Sequence, residues 1–309
     1  MSSGKVEKYA SYMGMVILMI VTFVISLLMI IPVDNAGLIA FEDPNSMLNI
    51  VIFIIAMLFF TFVLLALIKW KAQKLITVLI GFSIGLVLFY VVFALLSYII
   101  NGVLLYIISA VCAAALVILL YLYPEWYVID SVGILASAGC ASIFGISLSI
   151  YPVIVLLVLL MVYDYISVKR SKHMLKLADG VMKQKMQIMF VVPRSPKYSF
   201  RKSNMSMTDE TGERNAYMLG MGDIIIPAIL LVSAQFYAGG DGVMSILGCS
   251  LPAVGVFIGA ALGLLIVLIN VNKKGPQPGL PYINGCAIIG FLICCAVSGS
   301  WAWVTAPIF

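Results

Sequence analysis

Asp164 and Asp223 are carboxylates set in stretches that otherwise belong in lipid: Leu159-Leu160-Met161-Val162-Tyr163-Asp164-Tyr165-Ile166 and Leu219-Gly220-Met221-Gly222-Asp223-Ile224-Ile225-Ile226. A carboxylate at the centre of a membrane-crossing helix costs about 3 kcal/mol, so it is retained where it meets a partner or water. Two carboxyls within a few ångströms of each other do not both ionise cheaply; one holds a proton while the other stays basic. Such a pair is an acid and a base in one site. The ionised member takes a proton from a water lying between them while the neutral member protonates a carbonyl, and the two titrate as a coupled pair.

The flanks of Asp223 suit a close approach by another backbone. Gly220 and Gly222 remove side chains on its N-terminal side, and Pro227, four residues on, cannot donate to the Asp223 carbonyl, which loosens that turn. Close helix packing at Gly220 and a transmembrane kink at Pro227 account for the same residues without any chemistry. Asp164 lies five residues before Lys169, roughly 7 Å along a helix from a cytoplasmic end. Asp223 lies nine residues after Arg214, part of that distance being irregular approach chain. Both carboxyls are therefore expected at similar depth, and adjacent antiparallel helices would set them face to face.

The elements that must position them are membrane spans. Of the 309 residues, 63% are hydrophobic and 10% charged, with a mean hydropathy of +1.16. Soluble domains carry about 25% charged residues, so this is an all-α polytopic membrane protein. At about 20 apolar residues per crossing, nine transmembrane helices are expected: Ser11–Val33, Leu48–Ile68, Leu75–Tyr98, Val103–Tyr123, Tyr127–Ser149, Pro152–Val168, Ala216–Tyr237, Val243–Val271 and Pro281–Trp301. The first is long and lacks a small-residue cleavage pattern, so it is read as a retained helix and not a removed signal. Asn101-Gly102 and Pro124 supply turn chemistry for two short links.

With that count all 18 basic residues fall on one side. Lys5 and Lys8 precede the first span, Lys69, Lys71 and Lys74 follow the second, Lys273 and Lys274 follow the eighth, and the rest lie from Lys169 to Arg214. The positive-inside rule places the N-terminus in the cytoplasm and the C-terminus outside, that is, extracytoplasmic. Three segments follow: residues 1–168 with helices one to six, a cytoplasmic basic linker at 169–215, and residues 216–309 with helices seven to nine. The linker opens on an amphipathic stretch, Met174, Leu175, Leu177, Val181 and Met182 among Lys172, Lys176 and Lys183, suited to an anionic leaflet. From Arg194 to Arg214 it is rich in Ser, Lys, Asp and Glu and expected to be mobile. Its charge is that of a solvated loop, and no nucleic-acid partner is read from it.

Other candidates carry less. The six cysteines lie in apolar runs as packing residues, no Cys-x-x-Cys occurs, and the single histidine, His173, sits in the basic loop, so neither a metal site nor a cofactor is expected. The methionines read as packing filler. Asp130 follows Pro124-Glu125-Trp126 at the cytoplasmic side and is expected to satisfy backbone donors or meet interfacial water. Tyr165, Trp70, Trp126, Trp301 and Trp303 fit interfacial aromatic belts.

Tyr163-Asp164 in one span and Gly220-Met221-Gly222-Asp223 in the next resemble the Tyr-Asp and Gly-x-Gly-Asp motifs of the presenilin and signal peptide peptidase family. The family's third element, Pro-Ala-Leu before the last helix, is matched at Pro278 and Leu280, with Gly279 where the family has alanine. The nine spans and three motifs agree in order over most of the chain. Prepilin peptidases share Gly-x-Gly-Asp, but a basic residue commonly follows theirs, whereas Ile224-Ile225-Ile226 follows Asp223.

The resemblance implies an intramembrane aspartyl protease in which Asp164 and Asp223 are the catalytic pair and Pro278, Gly279 and Leu280 shape the substrate side. Tyr163, Gly220, Met221 and Gly222 come with the motifs. The substrates implied are transmembrane helices, which must unwind locally before attack, and an extended substrate segment could be held by strand addition near the linker or the Pro278 loop. Presenilins share the cytoplasmic N-terminus read from the charges, so substrates with the N-terminus outside are implied, while the motifs leave the subfamily open. Compact length and short loops look like a microbial, archaeal homologue in the cell membrane, acting without accessory subunits and possible as a homo-oligomer. The rival from another class is a proton-coupled transporter or channel, which also retains intramembrane aspartates and broken helices; no internal repeat supports it.

Overall fold

The computed structural model describes residues 3–167, 189–194, 198, 200, 216–238, 244–246, 248–274 and 277–304. The chain begins with α1 (Ser3–Leu28) and α2 (Ile30–Asn35), which together carry one apolar span from Tyr9 to Asn35. Pro32 has no N–H to give the Leu28 carbonyl, and the helix is interrupted at Met29 between the two pieces. Then follow α3 (Leu48–Lys69), α4 (Gln73–Leu96), α5 (Val103–Leu122), α6 (Trp126–Ser147) and α7 (Ile150–Ile166). After the linker come α8 (Met221–Ala238), α9 (Leu251–Lys274) and α10 (Leu280–Ser298), and a 3-10 turn at Ala302–Val304. Among the described residues eight helical segments are long and apolar enough to cross a membrane, and α7 is a shorter apolar helix of 17 residues.

Two kinds of helix make up the bundle. α3 is apolar all round and buries only Asn49, Ile50, Leu64 and Leu67, so most of its surface faces outward, as lipid-facing helices do. α6 is built on small residues, including Gly133, Ser137, Ala138, Gly139, Ala141, Ser142 and Gly145, and forms the centre, packed on α1, α4 and α8. Small residues let neighbouring backbones approach where lipid gives no hydrophobic drive between helices. A Cβ on Gly145 would lie 2.5 Å from Val232 Cβ of α8. Ser142 donates to the Ser26 carbonyl of α1 at 2.8 Å, and Ser233 of α8 donates to the Leu148 carbonyl at 2.9 Å.

α9 and α10 pack most extensively of all pairs. Gly255, Gly259 and Gly263 form a stripe at four-residue spacing that faces Tyr282, Ile283, Cys286 and Gly290 of α10. A Cβ on Gly263 would come 2.6 Å from the Tyr282 carbonyl, and one on Gly255 or Gly259 would overlap the Gly290 or Cys286 carbonyl. No side chain larger than hydrogen fits there, so the stripe fixes the start of α10 against α9.

The seventh and eighth expected spans, realised as α8 and α9, begin later than the hydropathy suggests. Residues 216–220 are a strand, β2 (Ala216–Gly220), paired antiparallel with β1 (Met189–Pro193) in the register Met189↔Gly220 to Pro193↔Ala216. Val191 and Val192 favour the extended ladder, while Gly220 and Gly222 weaken any helix that would start at Ala216. Strand β3 (Ser245–Ile246) pairs antiparallel with β4 (Cys249–Ser250), and Gly248, just before β4, has φ +80°. α10 stops at Ser298 because Gly299 adopts the left-handed conformation that ends many helices. The amphipathic stretch expected from Lys172 to Lys183 lies outside the described residues, as does most of Arg194–Arg214.

Candidate active site

Three backbone segments meet at the two aspartates. Asp164 is near the C-terminal end of α7 and 5% exposed. Its Oδ2 accepts a hydrogen bond from the Leu280 N–H, 3.1 Å away. Leu280 is the first residue of α10, where the helix leaves N–H groups unbonded, so the carboxylate caps α10 from another helix. Asp223 is the third residue of α8, half-buried. A Cβ added to Gly279 would lie 3.5 Å from Asp223 Oδ2 and 3.8 Å from Oδ1, and one on Gly220 would lie 3.5 Å from Oδ2. The two carboxyls therefore converge on consecutive residues, Gly279 and Leu280, and stand near enough for their charges to interact.

The elements behind these contacts explain the placement. The β2 strand runs straight into α8, so Gly220 closes the strand and Met221 opens the helix. Met221 is buried, with its Cε 2.7 Å from where a Cβ of Gly133 would stand, which pins the start of α8 to α6. Gly222 is exposed, with no described residue within 4 Å of its Cβ position. Pro227 sits one turn further and is buried. Tyr163 is half-buried, Pro278 is buried and Leu280 is 6% exposed.

Every residue singled out from the motifs thus lies at this junction, though with different local duties: Gly220 and Gly279 border the Asp223 carboxyl, Leu280 binds Asp164, and Met221 anchors to α6. Both carboxyls thus border one short stretch of backbone, residues 279–280, and a backbone N–H fixes one of them.

The chain matches the family model described as signal-peptide peptidase, presenilin aspartyl protease over residues 15–300. It belongs to that family. The fold is similar to that of a presenilin family intramembrane aspartate protease solved in space group C222, at 38% identity and a TM-score of 0.68, covering 93% of this chain and 99% of that one. A second structure so described, in space group P2, gives 39% identity and a TM-score of 0.66, covering 92% and 97%. Among curated proteins no relative matches.

Several supporting residues of this family member are not visible in the motifs. Asp130 of α6, 5% exposed, accepts the Val191 N–H at 2.8 Å and so ties β1 to the bundle. It satisfies a backbone donor as expected, but one distant in sequence by 61 residues. Glu125 accepts the Phe200 N–H at 3.2 Å in the same region. Phe190 is fully buried, and Tyr12 stacks edge-on to Tyr217 at 5.3 Å, so the two-stranded sheet is packed against α1 and α6. The spacing Gly255-x-x-x-Gly259-x-x-x-Gly263 was the available signal for the α9–α10 contact. Asn284, fully buried in α10, had no signal beyond being an amide in an apolar run.

Proposed function

We propose that Asp164 and Asp223 are the catalytic pair of this intramembrane aspartic endopeptidase. The observation that carries the reading is the convergence of both carboxyls on Gly279 and Leu280, with Leu280 N–H 3.1 Å from Asp164 Oδ2. One carboxyl is ionised and the other protonated. The ionised one takes a proton from the water between them, the water oxygen bonds to the scissile carbonyl carbon, and the neutral one gives its proton to the carbonyl oxygen. The tetrahedral diol then collapses: the C–N bond breaks, the nitrogen receives the proton taken from water, and a diol hydroxyl returns its proton to the other carboxylate. The dyad ends as it began, and the products are a new carboxyl and a new amine.

The substrates are transmembrane segments that unwind within the bilayer. A helix hides its peptide bonds, and unwinding in lipid leaves N–H and C=O groups that need partners. The β1–β2 sheet supports strand addition as the means of holding the extended segment, since it leads directly into Asp223 through Gly220 and Met221. Cleavage and binding that survive deletion of the linker together with β1 would remove that placement. Taking α7 as a ninth, shorter span gives the cytoplasmic N-terminus, extracytoplasmic C-terminus and substrates with their N-terminus outside that the basic residues support. The three segments 1–168, 169–215 and 216–309, action without accessory subunits, and self-association are part of the same reading.

Transport by the same aspartates gains no support from the comparisons. The product decides between the two. Proteoliposomes holding the purified chain and a single-span peptide are expected to yield two fragments cut within the apolar segment, read by mass spectrometry. An intact peptide across a panel of sequences, with a proton gradient dissipated, would overturn the protease reading for this chain.

A further inference from the structure

Asn284 is 0% exposed, and neither its Nδ2 nor its Oδ1 has a hydrogen-bond partner among the described residues. An amide with both ends unbonded inside a membrane span is unfavourable, and one that persists marks a place where a partner arrives. Its position says which partner. Residues four apart share a helix face, and side chains tilt toward the N-terminal end, so Asn284 stands behind Leu280 and leans toward it. The axial distance is about 6 Å. A second contact sets the same depth: a Cβ on Gly285 would lie 3.9 Å from Met161 Sδ, one turn before Asp164 on α7. α8 also runs away from the dyad beside α10, and its Pro227 is one turn beyond Asp223. Along the axis of α10, Asn284 therefore lies one turn past the Leu280 N–H that Asp164 accepts, at the depth of Met161 on α7.

We propose that Asn284 is a substrate-binding residue that holds the main chain of the unwound segment next to the scissile bond. A peptide unit released from its helix bares one donor and one acceptor. A side-chain amide offers an acceptor and a donor in one plane, so Nδ2–H gives to a substrate carbonyl and Oδ1 takes a substrate N–H. The contact exists only with an extended backbone, because a helical substrate has both groups occupied. It therefore favours the reactive conformation over the docked helix, which raises kcat and leaves KM alone. The glycine stripe of α9 holds α10 in place, so the amide does not depend on a loop for its position.

The proposal rests on the dyad reading above, and its test separates the two. Asn284→Leu keeps the volume and removes both hydrogen-bonding groups. Its thermal midpoint without substrate is expected to hold or rise, since an apolar group replaces an unbonded amide. Its kcat is expected to fall about ten- to a hundredfold at constant KM. Its affinity for a peptide bearing a hydroxyl-substituted tetrahedral carbon in place of the scissile carbonyl should fall by the same factor. Wild-type kcat and analogue affinity in Asn284→Leu would overturn the clamp, as would a lowered midpoint accompanying lost activity, which marks a structural amide. Asp164→Asn is measured alongside: turnover surviving there overturns the dyad, whereas normal Asn284→Leu beside inactive Asp164→Asn overturns the clamp alone.

Discussion

Gly279→Ala tests how the site tolerates the alanine that the family carries at this place. Gly279 has φ −80° and ψ −47°, a right-handed helical conformation open to any L-residue. The new methyl would stand 3.5 Å from Asp223 Oδ2, 3.6 Å from Cγ and 3.8 Å from Oδ1, ordinary contacts that displace nothing. Fewer unfolded conformations then stabilise the variant by about 0.4–1 kcal/mol. Gly279→Val has the same backbone freedom to lose but adds γ-methyls toward a carboxyl already in contact with the Cβ. The carboxyl must shift, and a displacement of about 1 Å at the reacting groups costs roughly a hundredfold in rate. Thermal midpoints in detergent and kcat/KM on a single-span peptide read both variants. Alanine is expected to raise the midpoint with kcat/KM within threefold of wild type, and valine to lower kcat/KM about a hundredfold. Alanine losing tenfold or more, or valine cleaving normally, would refute the contact of Asp223 with residue 279.

Gly259→Leu should unseat α10, because its side chain would meet the Cys286 carbonyl; a loss of about 1–3 kcal/mol or more is expected on a denaturant titration, with activity lost in proportion to unfolding. Asp130→Ala strands the buried Val191 N–H and should cost about 1–3 kcal/mol, seen as faster hydrogen exchange at Val191 and β2 while exchange within α9 and α10 is unchanged. The pH dependence of kcat/KM should be bell-shaped. Below the optimum both carboxyls are protonated and the base is lost; above it both are ionised and the acid is lost, so a sigmoid with one limb would contradict a shared proton.

The sequence carried the aspartates plainly, because an acid in a run such as Leu159–Ile166 conflicts with its surroundings. It carried the helices as well, since twenty-residue apolar runs have one structural outcome in lipid. Strand β2 was hidden for the same reason. Ala216-Tyr217-Met218-Leu219 is apolar enough to extend a helix, and only its pairing with residues 189–193, across a long gap in the chain, makes it extended. The β3–β4 pair was likewise absorbed into the hydropathy of the eighth span. The link from Asp164 to Leu280 joins positions 116 residues apart through a backbone N–H, a contact without side-chain identity at one end. Motif order suggested proximity of residues 278–280 to the aspartates, but the contacts themselves, the Leu280 N–H given to Asp164 and Gly279 beside the Asp223 carboxyl, needed coordinates. Asp130 shows the converse: its residue type announced a buried acceptor, and its partner on β1 lay beyond any local pattern.

The most direct test of the dyad is the cleavage of a fluorescent single-span peptide by wild type, Asp164→Asn and Asp223→Asn, each reconstituted at equal amount and shown to share one thermal transition. Asparagine keeps the shape of the side chain and removes the ionisable proton. Cutting within the apolar segment by wild type, with no fragment from either variant, is the predicted result; fragments from either variant at a rate near wild type would contradict it.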